Sequence, residues 1–146
     1  MIEQYPRGTA FHEAGHAVVA HFLGHEVVHI HISNDDESGR TDITAPVTRM
    51  EHLTFLFAGM AAQNIFSAPS KHQAGLGDVV DFLNLMAKEG VSDDEREALR
   101  QDAYQRANIT LHAHRAEVEA VAARLMEHGP MDGPQFLEVM RSAELK

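Results

Sequence analysis

The chain has 146 residues, 44% of them hydrophobic and 23% charged, the composition and size of one globular domain spanning 1–146. Acidic residues outnumber basic ones 22 to 12, giving a net charge of −10, which argues against a nucleic-acid partner because a phosphate backbone calls for a basic face. No apolar run approaches the roughly 18 residues of a membrane span and the N-terminus does not read as a basic-then-apolar signal, so the expectation is a cytoplasmic protein with no membrane insertion.

The first helical pattern runs from about Thr9 to Leu23, with Phe11, Gly15, Val18, Val19, Phe22 and Leu23 on one broad face. Gly24 is its stop. Val27 to Ile32 alternates in part, as a half-buried strand does, and Asn34 to Gly39 is a polar turn into a second strand over about Arg40 to Ala45. A β-hairpin is the simplest reading. Thr48 to Phe66 is apolar almost all round and reads as the central helix of the core, with Ala58, Gly59, Ala61 and Ala62 admitting a close neighbour. A turn-rich stretch, Ser67 to Gly77, leads into a helix that begins near Asp78 and ends at Glu89-Gly90. Ser92 with Glu95 is a capping-box signature for a further helix, which continues through Leu111 and is unbroken or bent near His112 to Arg115. His128-Gly129-Pro130 stops it, and Asp132 with Gln135 caps a last helix reaching about Ser142. The fold class is therefore α+β, mainly α, with five to six helices and one small hairpin sheet.

Cys is absent and His is abundant, at 11 residues, so disulfides and thiolate chemistry are excluded and any metal site must use His with carboxylates. His12-Glu13-Ala14-Gly15-His16 is an HExxH pattern inside the first helix. Two His at i and i+4 stand one turn apart on the same face, and neutral imidazoles suit Zn²⁺. Glu13 lies about 60° around the helix from His16. There it flanks the ion without ligating it and can take a proton from a zinc-bound water and pass it on to a leaving amine.

A catalytic zinc takes a third protein ligand. The extended pattern with a third His on the same segment is excluded, because positions 19 and 22 hold Val19 and Phe22. His21 and His25 point about half a turn away. Glu51 is a nominal carboxylate candidate on a later helix, and Glu37, in the turn between the strands, is a weaker one. His29 and His31 share a strand face and read as surface; His112 and His114 read as solvated, and Asp93-Asp94-Glu95 as helix-start charge.

The segment Thr9 to Val19 resembles the zinc motif of the FtsH-type membrane-anchored AAA proteases. Leu56 to Phe66 is similar to that family's small-residue helix, and Ala74-Gly75-Leu76-Gly77-Asp78-Val79 to its Gly-Ala-x-x-Asp-Leu segment. Ala103 to Ala107, His114-Arg115 and Leu125 to Glu127 follow its helical tail, in the family's order. The resemblance implies that Asp78 carries the third ligand. On residue type alone, an Asp following Gly at a helix start is an N-cap, and Asp81 one turn on complements the helix dipole. Where the family carries a Glu pair on the small-residue helix, this chain has Gln63-Asn64, so that helix supplies no acidic ligand. The 146 residues contain no GxxxxGK phosphate loop and no apolar anchor, which leads to the expectation of the peptidase domain without the AAA ATPase module or membrane anchor.

The functional expectation is a zinc-dependent metallopeptidase in which His12, His16 and Asp78 hold Zn²⁺ and Glu13 is the general base. Its substrates would be peptides or unfolded protein, with the second strand pairing to extended substrate as the family does. A homo-oligomer, as in the family's hexameric rings, or a separate ATPase partner is left open. The alternative is a weakly active or inactive metal-binding relative serving as a protein-interaction or regulatory domain.

Overall fold

The computed structural model describes residues 5–46, 48–70 and 76–145. The opening helix is rich in Ala, Gly and β-branched residues, and this composition decides its place. Side chains that small let neighbours close in from every direction. In α1 (Arg7–Phe22) every residue from Gly8 to Ala20 is buried. The expected single apolar face is therefore a fully enclosed helix, and α1, not the Thr48–Phe66 helix, is central. Phe22, expected on the core face, is instead 39% exposed and stacks on the His114 ring with centroids 3.6 Å apart.

Gly24 leaves α1 at φ +91, a left-handed conformation that favours glycine. β1 (Val27–Ile32) follows and pairs antiparallel with β2 (Gly39–Ile43), with Ile30 opposite Thr41 and Ile32 opposite Gly39. The second strand thus ends two residues before the expected Ala45. A two-residue strand, β3 (Met131–Asp132), pairs along the other side of β1 through His29 and Ile30. The sheet order is β2-β1-β3, so the hairpin is two-thirds of the sheet and β2 is an edge. Two residues are too few to show an alternating pattern, which is why β3 has no sequence signature.

α2 (Arg49–Ile65) starts where Thr48 accepts a hydrogen bond from the Glu51 N–H at 3.1 Å. It packs against α1 through the expected small residues. A Cβ built on Gly15 would stand 2.5 Å from the Ala62 Cβ and 2.6 Å from the Ala58 carbonyl oxygen. α3 (Leu76–Lys88) places Asp78 in its first turn. Residues 71–75, which include part of the turn-rich stretch and of the Gly-Ala-x-x-Asp-Leu segment, lie outside the described residues. α3 is fastened by Phe82 and Met86, which join Leu53, Leu56, Phe57 and Ala103 in a second apolar cluster. Asp78, Phe82 and Met86 recur every four residues, so the face that anchors α3 also aims Asp78 inward.

α4 (Asp93–Ala113) begins at Ser92, whose hydroxyl accepts from the Glu95 N–H. The backbone breaks at His114 (φ −128), and α5 (Arg115–His128) sets off as a separate helix, resolving the open reading in favour of a bend. Gly129, at φ +79, ends it. α6 (Gly133–Glu144) opens on the reciprocal Asp132–Gln135 capping box that the sequence predicts. Leu125, Val118 and Val121 of α5 and Phe136 of α6 complete the main core around α1. No helix among the described residues is long and apolar enough to cross a membrane.

The α1–α2 contact leaves no space for a further carbon, and part of the obstacle is backbone. Gly15→Ala is expected to destabilise the fold by about 1–3 kcal/mol, as overpacking of a close-packed core does. Denaturant unfolding at equilibrium measures it.

Candidate metal centre

An α-helix places residues i and i+4 one above the other, so His12 and His16 necessarily share a face of α1. Both are almost fully buried, at 2% and 3% exposure. Their rings meet edge to face with centroids 4.7 Å apart. What the spacing does not fix is the rotation of each ring, and α2 supplies that. His12 Nδ1 is 2.7 Å from Gln63 Oε1. The Gln63 amide donates its Nε2 proton to the Ala68 carbonyl at 3.0 Å, which turns Oε1 toward His12. An amide oxygen only accepts, so His12 carries its proton on Nδ1. His16 Nδ1 donates to the Phe55 carbonyl oxygen at 2.7 Å, with the same result. In the neutral form both imidazoles therefore present a bare Nε2.

The two bare nitrogens stand 3.0 Å apart. Asp78 Oδ2 lies 2.9 Å from His12 Nε2 and 3.0 Å from His16 Nε2. Among the described residues these three form the one group of three or more His and carboxylate side chains with metal-binding spacing. Two nitrogen lone pairs and a carboxylate oxygen brought this close repel one another unless a cation or proton lies between them. Ligands at about 2.0–2.1 Å around a tetrahedral ion stand about 3.3 Å apart. The triangle is only slightly tighter than that, and its donor set, two imidazoles and one carboxylate, is one that zinc accepts. In the absence of a metal a proton takes the cation's part. Burial opposes charging His16, but the hydrogen bond to Asp78 and the charges of Asp78 and Glu13 prevail and carry its pKa up to about 9. Burial likewise raises the Asp78 carboxyl, and its close contacts with the two histidine Nε2 atoms outweigh it, leaving Asp78 well below the usual carboxylate range. The cluster is electrostatically prepared for positive charge.

Glu13, 4% exposed, sits beside this triangle. Thr41 of β2 donates its hydroxyl to Glu13 Oε1 at 2.7 Å and so fixes the carboxylate. Gly39 backs it closely, since a Cβ there would come within 2.7 Å of both Glu13 Cγ and Oε2. The group opens on a cleft of about 230 Å³ lined by the three cluster residues and Glu13, by Gly39, Arg40 and Thr41 of β2, and by Phe55 and Leu56 of α2. Asp81 also lines it, one turn beyond Asp78 on α3.

The remaining sequence candidates are engaged elsewhere. Glu51 Oε1 lies 3.0 Å from His25 Nε2, and neither belongs to the cluster. Glu37 lies outside it as well, its carbonyl accepting from the Thr9 hydroxyl at 2.8 Å. His29 and His31 have ring centroids 4.1 Å apart, and His31 is held by Asp42 and Arg40. His114 is not simply solvated: besides stacking on Phe22 it pairs with Glu117 at 2.8 Å. Asp93, Asp94 and Glu95 occupy the first turn of α4, exposed, as expected of helix-start charge. Sequence reasoning missed Thr41, Gly39 and the carbonyl of Phe55, and it read Gln63 only as the loss of an acid. The recoverable signal was the four-residue spacing of Phe55, Gly59 and Gln63 on one stripe of α2.

Two comparisons bear on this geometry. Residues 8–69 match the Peptidase M50B-like family model. That segment contains His12, Glu13, His16 and the whole of α2, and it stops short of Asp78. The ATP-dependent zinc metalloprotease FtsH 2 of Sphaerobacter thermophilus is 27% identical over a 173-residue alignment that takes in 92% of this chain. The chain spans about a quarter, 26%, of that relative's length. With the HExxH helix and the ordered segments beyond it, the chain is similar over most of its length to the peptidase domain of the FtsH-type zinc metalloproteases.

Proposed function

We propose that the chain is a zinc-dependent metallopeptidase that hydrolyses peptide bonds in peptides or unfolded protein. The observation that carries this reading is the convergence of three lone-pair donors, His12 Nε2, His16 Nε2 and Asp78 Oδ2, within 3.0 Å of one another beside a fixed carboxylate. Zn²⁺ held by these three residues would supply Lewis acidity toward a peptide carbonyl and toward water. The chain's own residues supply the rest. Glu13 accepts a proton from the attacking water and delivers it to the departing amine nitrogen, and Thr41 holds its carboxylate in place between the two transfers. β2 is an outer strand of the sheet among the described residues, and its Gly39, Arg40 and Thr41 line the same cleft as Glu13. An extended segment adding to that edge would present its backbone to the site at strand spacing, with main-chain hydrogen bonds giving affinity. This requires a substrate already extended, so folded proteins would need prior unfolding by a partner. The similar FtsH protein is named as ATP-dependent, which makes an ATP-driven unfoldase the class of partner to seek.

The second reading, a metal-binding relative kept for interaction or regulation, is disfavoured by Glu13. A carboxylate enclosed at 4% exposure is a costly feature, and a structural ion has no use for it. Zinc analysis with Glu13→Gln separates the two. Wild type and Glu13→Gln are each expected to bind one zinc, and hydrolysis of an unfolded casein substrate is expected to fall about 10²–10⁴-fold in the variant, the range of a general base. Zinc-loaded wild type that leaves casein intact would instead assign the chain to the non-catalytic reading. Asp78→Ala is expected to weaken zinc binding by about 100-fold or more, since even residues one shell further out contribute 10–100-fold. Equal affinity in a competitive chelator titration would make Asp78 a helix-start residue only.

A further inference from the structure

The metal triangle has a wall that no ligand assignment includes. α2 runs past the two histidines with Phe55, Gly59 and Gln63 at successive four-residue steps, and each faces the site with a different group. The Phe55 carbonyl oxygen accepts a hydrogen bond from His16 Nδ1, and the Gln63 amide oxygen accepts one from His12 Nδ1. Between them Gly59 has no side chain. A Cβ built there would stand 2.5 Å from His12 Nε2, 2.5 Å from His12 Cε1 and 2.6 Å from His16 Nε2. That single carbon would press on both metal-facing nitrogens at once. The rings cannot swing away cheaply, because each is buried and tied on its far side to α2. Gly59 therefore has a requirement distinct from helix packing, in contrast to Gly15, whose nearest neighbours are Ala62 and Ala58.

We propose that this stripe of α2 is the positioning wall of the metal site, with Gln63 setting the tautomer and rotation of His12 and Gly59 keeping the approach to both Nε2 atoms clear. The inference rests on the zinc reading above and adds two residues to it. It also gives a role to Gln63, which the sequence reading took only as the loss of an acidic ligand. Gln63 is uncharged, yet its oxygen accepts the same Nδ1 proton that a carboxylate would accept, while its Nε2 satisfies the Ala68 carbonyl, which a carboxylate does not do. A metal-bound imidazole with its other nitrogen hydrogen-bonded to an oxygen is oriented and made more basic.

The test reads metal and not turnover. Zinc affinity is measured by chelator competition, and ligand geometry by the visible absorption of the cobalt-substituted protein, for wild type, Gly59→Ala, Gln63→Met and Gln63→Glu. Circular dichroism and thermal unfolding confirm that each is folded. Gly59→Ala and Gln63→Met are each expected to lose about 10–100-fold in zinc affinity and to alter the cobalt spectrum. Gln63→Glu, which restores an acceptor for His12 Nδ1, is expected to recover most of the affinity lost in Gln63→Met. If wild type binds zinc and both Gly59→Ala and Gln63→Met hold it equally tightly with the wild-type spectrum, the positioning role is overturned while the zinc reading stands. Should Gly59→Ala fail to fold, the Gln63 pair decides: equal loss in Met and Glu variants refutes the tautomer role. Wild type that takes up no zinc overturns the zinc reading itself.

Discussion

The structure depends on an electrostatic constraint at the centre of its most buried helix. Two imidazole lone pairs and a carboxylate are held about 3 Å apart with little access to water. Such a cluster repels itself unless positive charge sits within it. Its stability as built is thus conditional on a cation or a proton, and the raised pKa of His16 expresses this directly. Burial, which would otherwise empty the histidine of its proton, is overruled by Asp78 and Glu13.

Enclosing a polar cluster requires every other polar atom around it to be satisfied, and α2 does most of that work. Its small residues let it approach α1, and that approach brings the Phe55 carbonyl and the Gln63 amide within bonding distance of the two rings. Close helix packing and the orientation of the two imidazoles are thus one arrangement seen from two sides. α3 stands differently. It is tied by Phe82 and Met86 to the second apolar cluster, and Asp78 reaches the histidines from one turn before those anchors. The carboxylate is therefore delivered by an element with its own packing, separate from the core that holds α1.

The sheet completes the cleft. β1 is paired on both sides, which leaves β2 as the edge nearest Glu13. Thr41 faces Glu13, and Gly39 allows the strand to pass close behind the carboxylate. The face that fixes the Glu13 carboxylate and an outer edge of the sheet thus belong to one short strand.

The helices, the hairpin and the HExxH pair were legible in the chain because they depend on short-range periodicity: His12 and His16 share a face wherever the helix lies, and Ser92, Thr48 and Asp132 mark starts through bonds to residues three positions on. It misjudged which helix is central, since small residues signal close approach without saying from how many sides, and α1 proved enclosed all round. The meeting of Asp78 with residues 66 and 62 positions earlier is a matter of packing, and residue type alone reads it as a helix cap. Only packing between elements sets the ring orientations, the bond from Thr41 to Glu13, the pairing of Glu51 with His25 and the close approach of Gly59 to the two rings. Each is a contact between elements whose relative placement is set by how apolar faces fit together, and no local pattern in the chain encodes that fit.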